Sequence, residues 1–110
     1  MKFCYANRRH ALYPDSQPNW DVKAEDYTDK FLSKAQDIGM DGMEIGFQAL
    51  EALGTDQKVK DFGKRLADHG VPAMAIRSGG SLTAAAGYQE NRDRLHRMID
   101  TAQTVGADIV

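Results

Sequence analysis

The sequence predicts a parallel α/β fold, on the strength of helix-to-strand junctions that each turn on a glycine. The junctions read Ile38-Gly39-Met40-Asp41-Gly42-Met43-Glu44-Ile45, His69-Gly70-Val71-Pro72-Ala73-Met74-Ala75-Ile76 and Val105-Gly106-Ala107-Asp108-Ile109-Val110. In each, an amphipathic stretch meets a glycine and an apolar run begins within a few residues. Glycine just past a helix is the usual left-handed stop, because it enters that conformation without a Cβ clash. A helix that ends so abruptly before a strand belongs to a βαβ unit, whose strands run parallel. The last junction enters a fourth strand where the 110 residues end, so the chain is expected to be a piece of a larger protein. No internal domain boundary is expected over 1–110, and the order reads β-α-β-α-β-α-β, three and a half units.

The first strand is expected over 2–6, where Phe3 and Tyr5 favour extended backbone. A long loop follows, rich in the turn formers Pro14, Asp15, Ser16, Pro18 and Asn19. The first helix spans 24–38, with Tyr27, Phe31, Leu32, Ala35 and Ile38 on one stripe and Glu25 and Asp26 opposing the dipole at its start. The second strand takes 42–47. The second helix runs over 56–69, capped by Thr55 and burying Val59, Phe62 and Leu66, and Pro72 then bars helical continuation. The third strand is 73–77, followed by a small-residue loop over 78–87. The third helix, 88–105, repeats Leu95, Met98, Ile99, Ala102 and Val105 at helical spacing.

Strand parity separates two faces. Met43, Ile45 and Phe47 share one side of the second strand, with Glu44, Gly46 and Gln48 on the other; Met74 and Ile76 oppose Ala73, Ala75 and Arg77. Bulky apolar residues are expected to meet the helices. A doubly wound sheet would want apolar residues on both faces. Glu44 and Arg77 point instead to a closed barrel, whose interior accepts polar side chains near its active end.

Composition narrows the classes. With 14 basic and 16 acidic residues the net charge is −2, which gives no reason to expect nucleic acid as a partner. No window approaches the roughly 18 apolar residues of a membrane span, and Asn7-Arg8-Arg9-His10 interrupts any signal-peptide core. A single cysteine, Cys4, cannot make an internal disulfide or a thiolate cluster and is expected to be a small buried residue. A cytoplasmic protein is the expectation.

The junction motifs carry a resemblance. Gly39-Met40-Asp41-Gly42-Met43-Glu44-Ile45, Leu66-Ala67-Asp68-His69-Gly70-Val71 and Ala102-Gln103-Thr104-Val105-Gly106-Ala107-Asp108-Ile109-Val110, in register over most of the chain, resemble the sugar phosphate isomerase/epimerase family of xylose isomerase-like TIM barrels. The resemblance implies that the chain is the N-terminal half of a (β/α)8 barrel of about 250 residues or more. It implies a parent enzyme that isomerises or epimerises a sugar or sugar phosphate by proton transfer next to a carbonyl. It also implies a divalent metal whose ligands lie beyond Val110, so none is assigned here. A small-molecule sugar is the implied partner; a homo-oligomer is a separate expectation.

In a barrel, function gathers at the carboxyl ends of the strands and the loops after them. That places Asn7 and His10 within reach of substrate hydroxyls, Gln48 and Arg77 on the same rim, and Trp20 or Tyr13 as an apolar wall against a sugar ring. A carboxylate within a strand is costly unless paired, so Glu44 is expected to meet Arg77 in a buried ion pair, with either residue available to substrate. Arg77, the more outlying, suits an anionic group such as phosphate. Ser78-Gly79-Gly80-Ser81 lacks the spacing of a nucleotide-binding loop. His69 is expected to face its helix dipole, and His96 to lie on the surface. Two alternatives remain. An apurinic-site endonuclease-like barrel would need a histidine where Ile76-Arg77-Ser78-Gly79 stands, and a non-catalytic α/β module would have to cover open strand edges by binding or assembly.

Overall fold

A computed structural model describes residues 1–5, 22–78 and 86–110. Its strands β1 (Cys4–Tyr5), β2 (Gly42–Gly46) and β3 (Ala73–Arg77) are parallel and lie in the order β1-β2-β3. The helices are α1 (Asp29–Asp37), α2 (Phe47–Glu51), α3 (Asp56–Asp68) and α4 (Tyr88–Val105), with a 3-10 turn at Ala24–Asp26 ahead of α1. Sequential parallel strands joined through helices are the arrangement that the junctions predict. On the other side of β3 an isolated parallel bridge joins Ile109 to Ala75, and Ile76 N–H donates to the Ile109 carbonyl at 2.9 Å.

The junction glycines stop their helices as expected. Gly39, Gly70 and Gly106 have φ of 85°, 73° and 89°, a region costly for any residue with a Cβ. The first junction has two further uses. The Asp41 carboxylate accepts from Phe3 N–H at 2.7 Å, and Asp41 N–H donates to the Phe3 carbonyl at 2.8 Å, which ties the start of β1 to the start of β2. A Cβ on Gly42 would collide with the Met74 side chain and lie 2.6 Å from the Pro72 carbonyl oxygen, so the approach of β3 depends on its absence.

Threonine caps set the helix starts. Thr28 Oγ1 accepts from Phe31 N–H at 3.2 Å and Thr55 Oγ1 from Lys58 N–H at 3.3 Å, each satisfying a donor the helix cannot. The Thr28 cap corrects the expected start of the first helix. Residues 24–26 form a separate turn, and Tyr27 precedes the cap instead of lying within a continuous helix. At its other end Ile38 is the C-cap and stays 49% exposed, so it leaves the buried stripe. The second strand ends one residue early, because Phe47 opens α2 and takes Gln48 with it. On α4, Met98, Ala102 and Val105 are buried but Ile99 is exposed, since α3 covers only one flank.

Burial follows strand parity. Met43 and Ile45 have no exposed surface, and Tyr5, Ala73 and Ile76 are buried beside them on the helix-covered face. Edge-to-face rings continue that core outward, Tyr5 to Phe31 at 5.8 Å, Phe31 to Tyr27 at 5.7 Å and Tyr27 to Phe62 at 5.5 Å. The opposite face carries Cys4, Glu44, Ala75 and Arg77, none of them buried. Cys4 is therefore exposed, not the expected small core residue, because Tyr5 is the one that points to the helices.

The parity expected of β3 fails at its first two residues, Ala73 and Met74. Met43 pairs with Ala73 but Glu44 pairs with Ala75, so the register slips and Met74 is left without a Cα partner. The slip turns Ala73 to the helices and leaves Met74 half-buried over Gly42, on the Glu44 side. Among the described residues, no helix is long and apolar enough to cross a membrane.

Gly63 sits inside α3, where helix propensity alone would favour alanine by about 1 kcal/mol. A Cβ there would strike the Val105 carbonyl at the end of α4, a backbone atom that cannot step aside. Gly63→Ala is expected to destabilise the chain by about 1–3 kcal/mol in denaturant unfolding, a sign opposite to the propensity scale.

Candidate functional site

The carboxyl ends of β2 and β3 meet on the uncovered face of the sheet. Gly46, last in β2, is the Cα partner of Arg77, last in β3. Glu44 and Arg77 point to the same side, and Arg77 Nε donates to Glu44 Oε1 at 2.7 Å. The pair forms as the strand parity predicts, on the face away from the helices. It is not buried as expected, however: the Arg77 side chain is 45% exposed and that of Glu44 26%, because no element among the described residues packs over it.

Gln48 joins them in spite of its helix. A Cβ on Gly46 would lie 2.7 Å from Gln48 Nε2 and 2.9 Å from Oε1, so the carboxamide occupies the space that glycine leaves on the Glu44 side. The missing side chain at Gly46 lets Gln48 fold back from α2 onto the open face. Gln48 also lines a cleft of about 290 Å³ between the 3-10 turn and α2, with Val22, Glu25, Ala49 and Leu53. Behind this rim, α2 is held by α4. Arg94 Nη2 donates to Glu51 Oε2 at 3.1 Å, and its guanidinium lies 5.2 Å from the Phe47 ring centroid.

Two residues that the sequence placed in the core also bear on this site. Cys4 lies on the same face, and although its side chain is exposed, partial desolvation first, then the Glu44 carboxylate, pushes its thiol above the ordinary value. Tyr27 approaches from the helix side and is 1% exposed. Burial pushes its phenol far up, the Arg77 guanidinium pulls it back, and Asp26, Glu44 and Tyr5 add to the rise. Its place among the aromatic residues of a helical stripe marks Tyr27 as core. Only tertiary packing brings the hydroxyl within electrostatic reach of Arg77 and Glu44.

Of the residues expected at the site, the structure thus gathers Glu44, Arg77 and Gln48. Asn7, His10, Tyr13 and Trp20 lie outside the described residues, as do Gly79, Gly80 and Ser81. His96 is exposed on α4. His69 does more than face its helix dipole: it is the C-cap of α3, and its Nε2 lies 3.1 Å from Asp29 Oδ1 at the start of α1, with Arg65 Nε 3.4 Å from the same oxygen. Among the described residues, no three His, Cys, Asp or Glu side chains gather as a metal site would require. The rim offers a carboxylate, a guanidinium and a carboxamide, a set that can both accept from and donate to hydroxyl groups.

No protein-family model matches the chain, and no curated protein is significantly similar to it.

The partial exposure of the ion pair sets its worth at the level of a surface bridge, about 0.2–1 kcal/mol. In a double-mutant cycle of Glu44→Gln and Arg77→Gln, each single change is expected to cost no more than about 1 kcal/mol, with a coupling energy inside that range. Fully additive losses would show that the two side chains do not interact.

Tyr27 makes stability depend on pH at the alkaline end. Its phenol is raised in the folded chain above the ordinary 10.0, so its contribution is complete below about pH 10 and is lost progressively as pH rises above it. Unfolding free energies measured from pH 8 to 11 are expected to fall for the native chain. For Tyr27→Phe, which keeps the ring, they should fall less steeply.

Proposed function

We propose that the chain is the N-terminal part of a xylose isomerase-like (β/α)8 barrel, and that the parent protein isomerises or epimerises a sugar. One observation carries this reading. The parallel strands lie in sequential order with helices burying one face, while polar Glu44, Arg77 and Gln48 gather on the other at the carboxyl ends. A barrel places its active face at those ends and fills its interior from that side of the sheet. The motifs around Gly39-Met40-Asp41-Gly42 and Val105-Gly106-Ala107 support the same reading through their resemblance to that family.

Within this reading the chain binds and orients. Glu44 accepts hydrogen bonds from neighbouring hydroxyls of an open-chain or ring sugar, the Arg77 guanidinium donates to its oxygens, and Gln48 does either. The divalent metal that the resemblance implies has no ligand set among the described residues, so no step of the reaction is assigned to them through it. No proton-transfer role is assigned to Glu44, Arg77 or Gln48. In the longer protein, Arg77→Ala is expected to lower kcat/KM for the sugar by about tenfold or more with little change in Tm. Unchanged kinetics would leave this rim as scaffold and defeat the assignment.

A second reading, a non-catalytic module that acts by association, draws on the uncovered face and on the exposed apolar Phe3, Ile109 and Val110 along the sheet. Sedimentation of the 110-residue chain separates the two readings. A stable, stoichiometric oligomer whose interface shields Cys4 from alkylation is expected of the module, and a monomer or polydisperse aggregate of the partial barrel.

A further inference from the structure

Arg77 invites assignment as an anion site, but its surroundings argue otherwise. A guanidinium that binds phosphate well does so with its charge uncompensated, often bidentately or beside other cations. Here Nε is committed to Glu44 at 2.7 Å, and the paired charges sum to zero. The Tyr27 phenol feels both members of this pair, Arg77 lowering and Glu44 raising its proton affinity. Gln48, folded over Gly46, adds hydrogen-bonding capacity and no charge. An anion arriving at Arg77 would therefore meet a carboxylate already in place.

We propose that Glu44 is a specificity-determining residue: by cancelling the charge of Arg77 it makes this rim accept neutral polyhydroxyl ligands and turn phosphorylated groups away. The inference rests on the carbohydrate reading for its ligand class, and it narrows that class to the unphosphorylated sugar at this end of the molecule. A neutral ligand loses nothing to the Glu44 charge and gains an acceptor from it. A phosphate within about 4 Å of Glu44 would suffer a repulsion sufficient for a tenfold or larger loss of affinity at surface dielectric.

The test uses the 110-residue chain and inorganic phosphate, read through the Arg77 Nε–H signal in nuclear magnetic resonance at low salt. For the native chain, no saturable shift of that signal is expected. For Glu44→Gln, saturable binding at least tenfold tighter than native is expected, and it should vanish in Glu44→Gln/Arg77→Gln, followed through backbone amides of β3. Saturable phosphate binding at Arg77 of the native chain would overturn the proposal whether or not any variant folds. A folded Glu44→Gln chain that gains no affinity would overturn it as well. Neither result touches the carbohydrate reading, which stands or falls on sugar kinetics in the longer protein. Failure of those kinetics would leave the phosphate titrations as expected here.

Discussion

The central constraint on this chain is that β2 must meet two different surroundings with alternate residues. It lies between β1 and β3 in the sheet, and Met43 and Ile45 are its wholly buried side chains. They bring the helices onto one face, with burial of each worth about 1.5–3 kcal/mol. Because the side-chain period of a strand is two, the same burial pushes Glu44 to the other face. Arg77 can reach it there only because β3 joins β2 in parallel with its last residue opposite Gly46. The ion pair is thus a by-product of core burial on the reverse side of the sheet. It contributes little stability of its own.

Absent side chains matter as much as present ones. Gly42 lets Met74 lie across β2, Gly46 lets Gln48 fold onto the open face, and Gly63 lets the end of α4 approach α3. Each is a close approach in which a methyl group would meet an atom of a neighbouring segment. The first two shape the site face directly. Met74 and Gln48 bracket Glu44 along β2, one above each flanking glycine, and leave the carboxylate between them facing Arg77. The one-residue slip in β3 belongs to the same adjustment, since it turns Met74 to that side and gives its place on the helix face to the smaller Ala73.

The helix layer reaches the site through Tyr27. Its ring packs edge-on against Phe31 and Phe62, while its hydroxyl feels Arg77 and Glu44. The buried phenol thus belongs to the core by packing and feels the polar rim through its charges. The aromatic run from Tyr5 through Phe31 and Tyr27 to Phe62 serves packing.

The sequence by itself determined the parallel α/β class, the glycine stops, the threonine cap of α3, the extents of β3 and α4, and the meeting of Glu44 with Arg77. Each of these depends on local stereochemistry or on a two- or 3.6-residue period, and both are visible along a single chain. Tertiary structure alone decided the rest. Whether Cys4, Ile38 and Ile99 are covered depends on which neighbour lies beside them, and periodicity does not carry that information. The slip at Met74 arises between two strands and belongs to neither. Gln48 reached the site through a turn of helix that replaced the expected strand end, and the phenol of Tyr27 came under the influence of Arg77 and Glu44 only through tertiary packing. Contacts between segments distant along the chain are set by the shapes of both partners, so neither segment's own pattern reveals them.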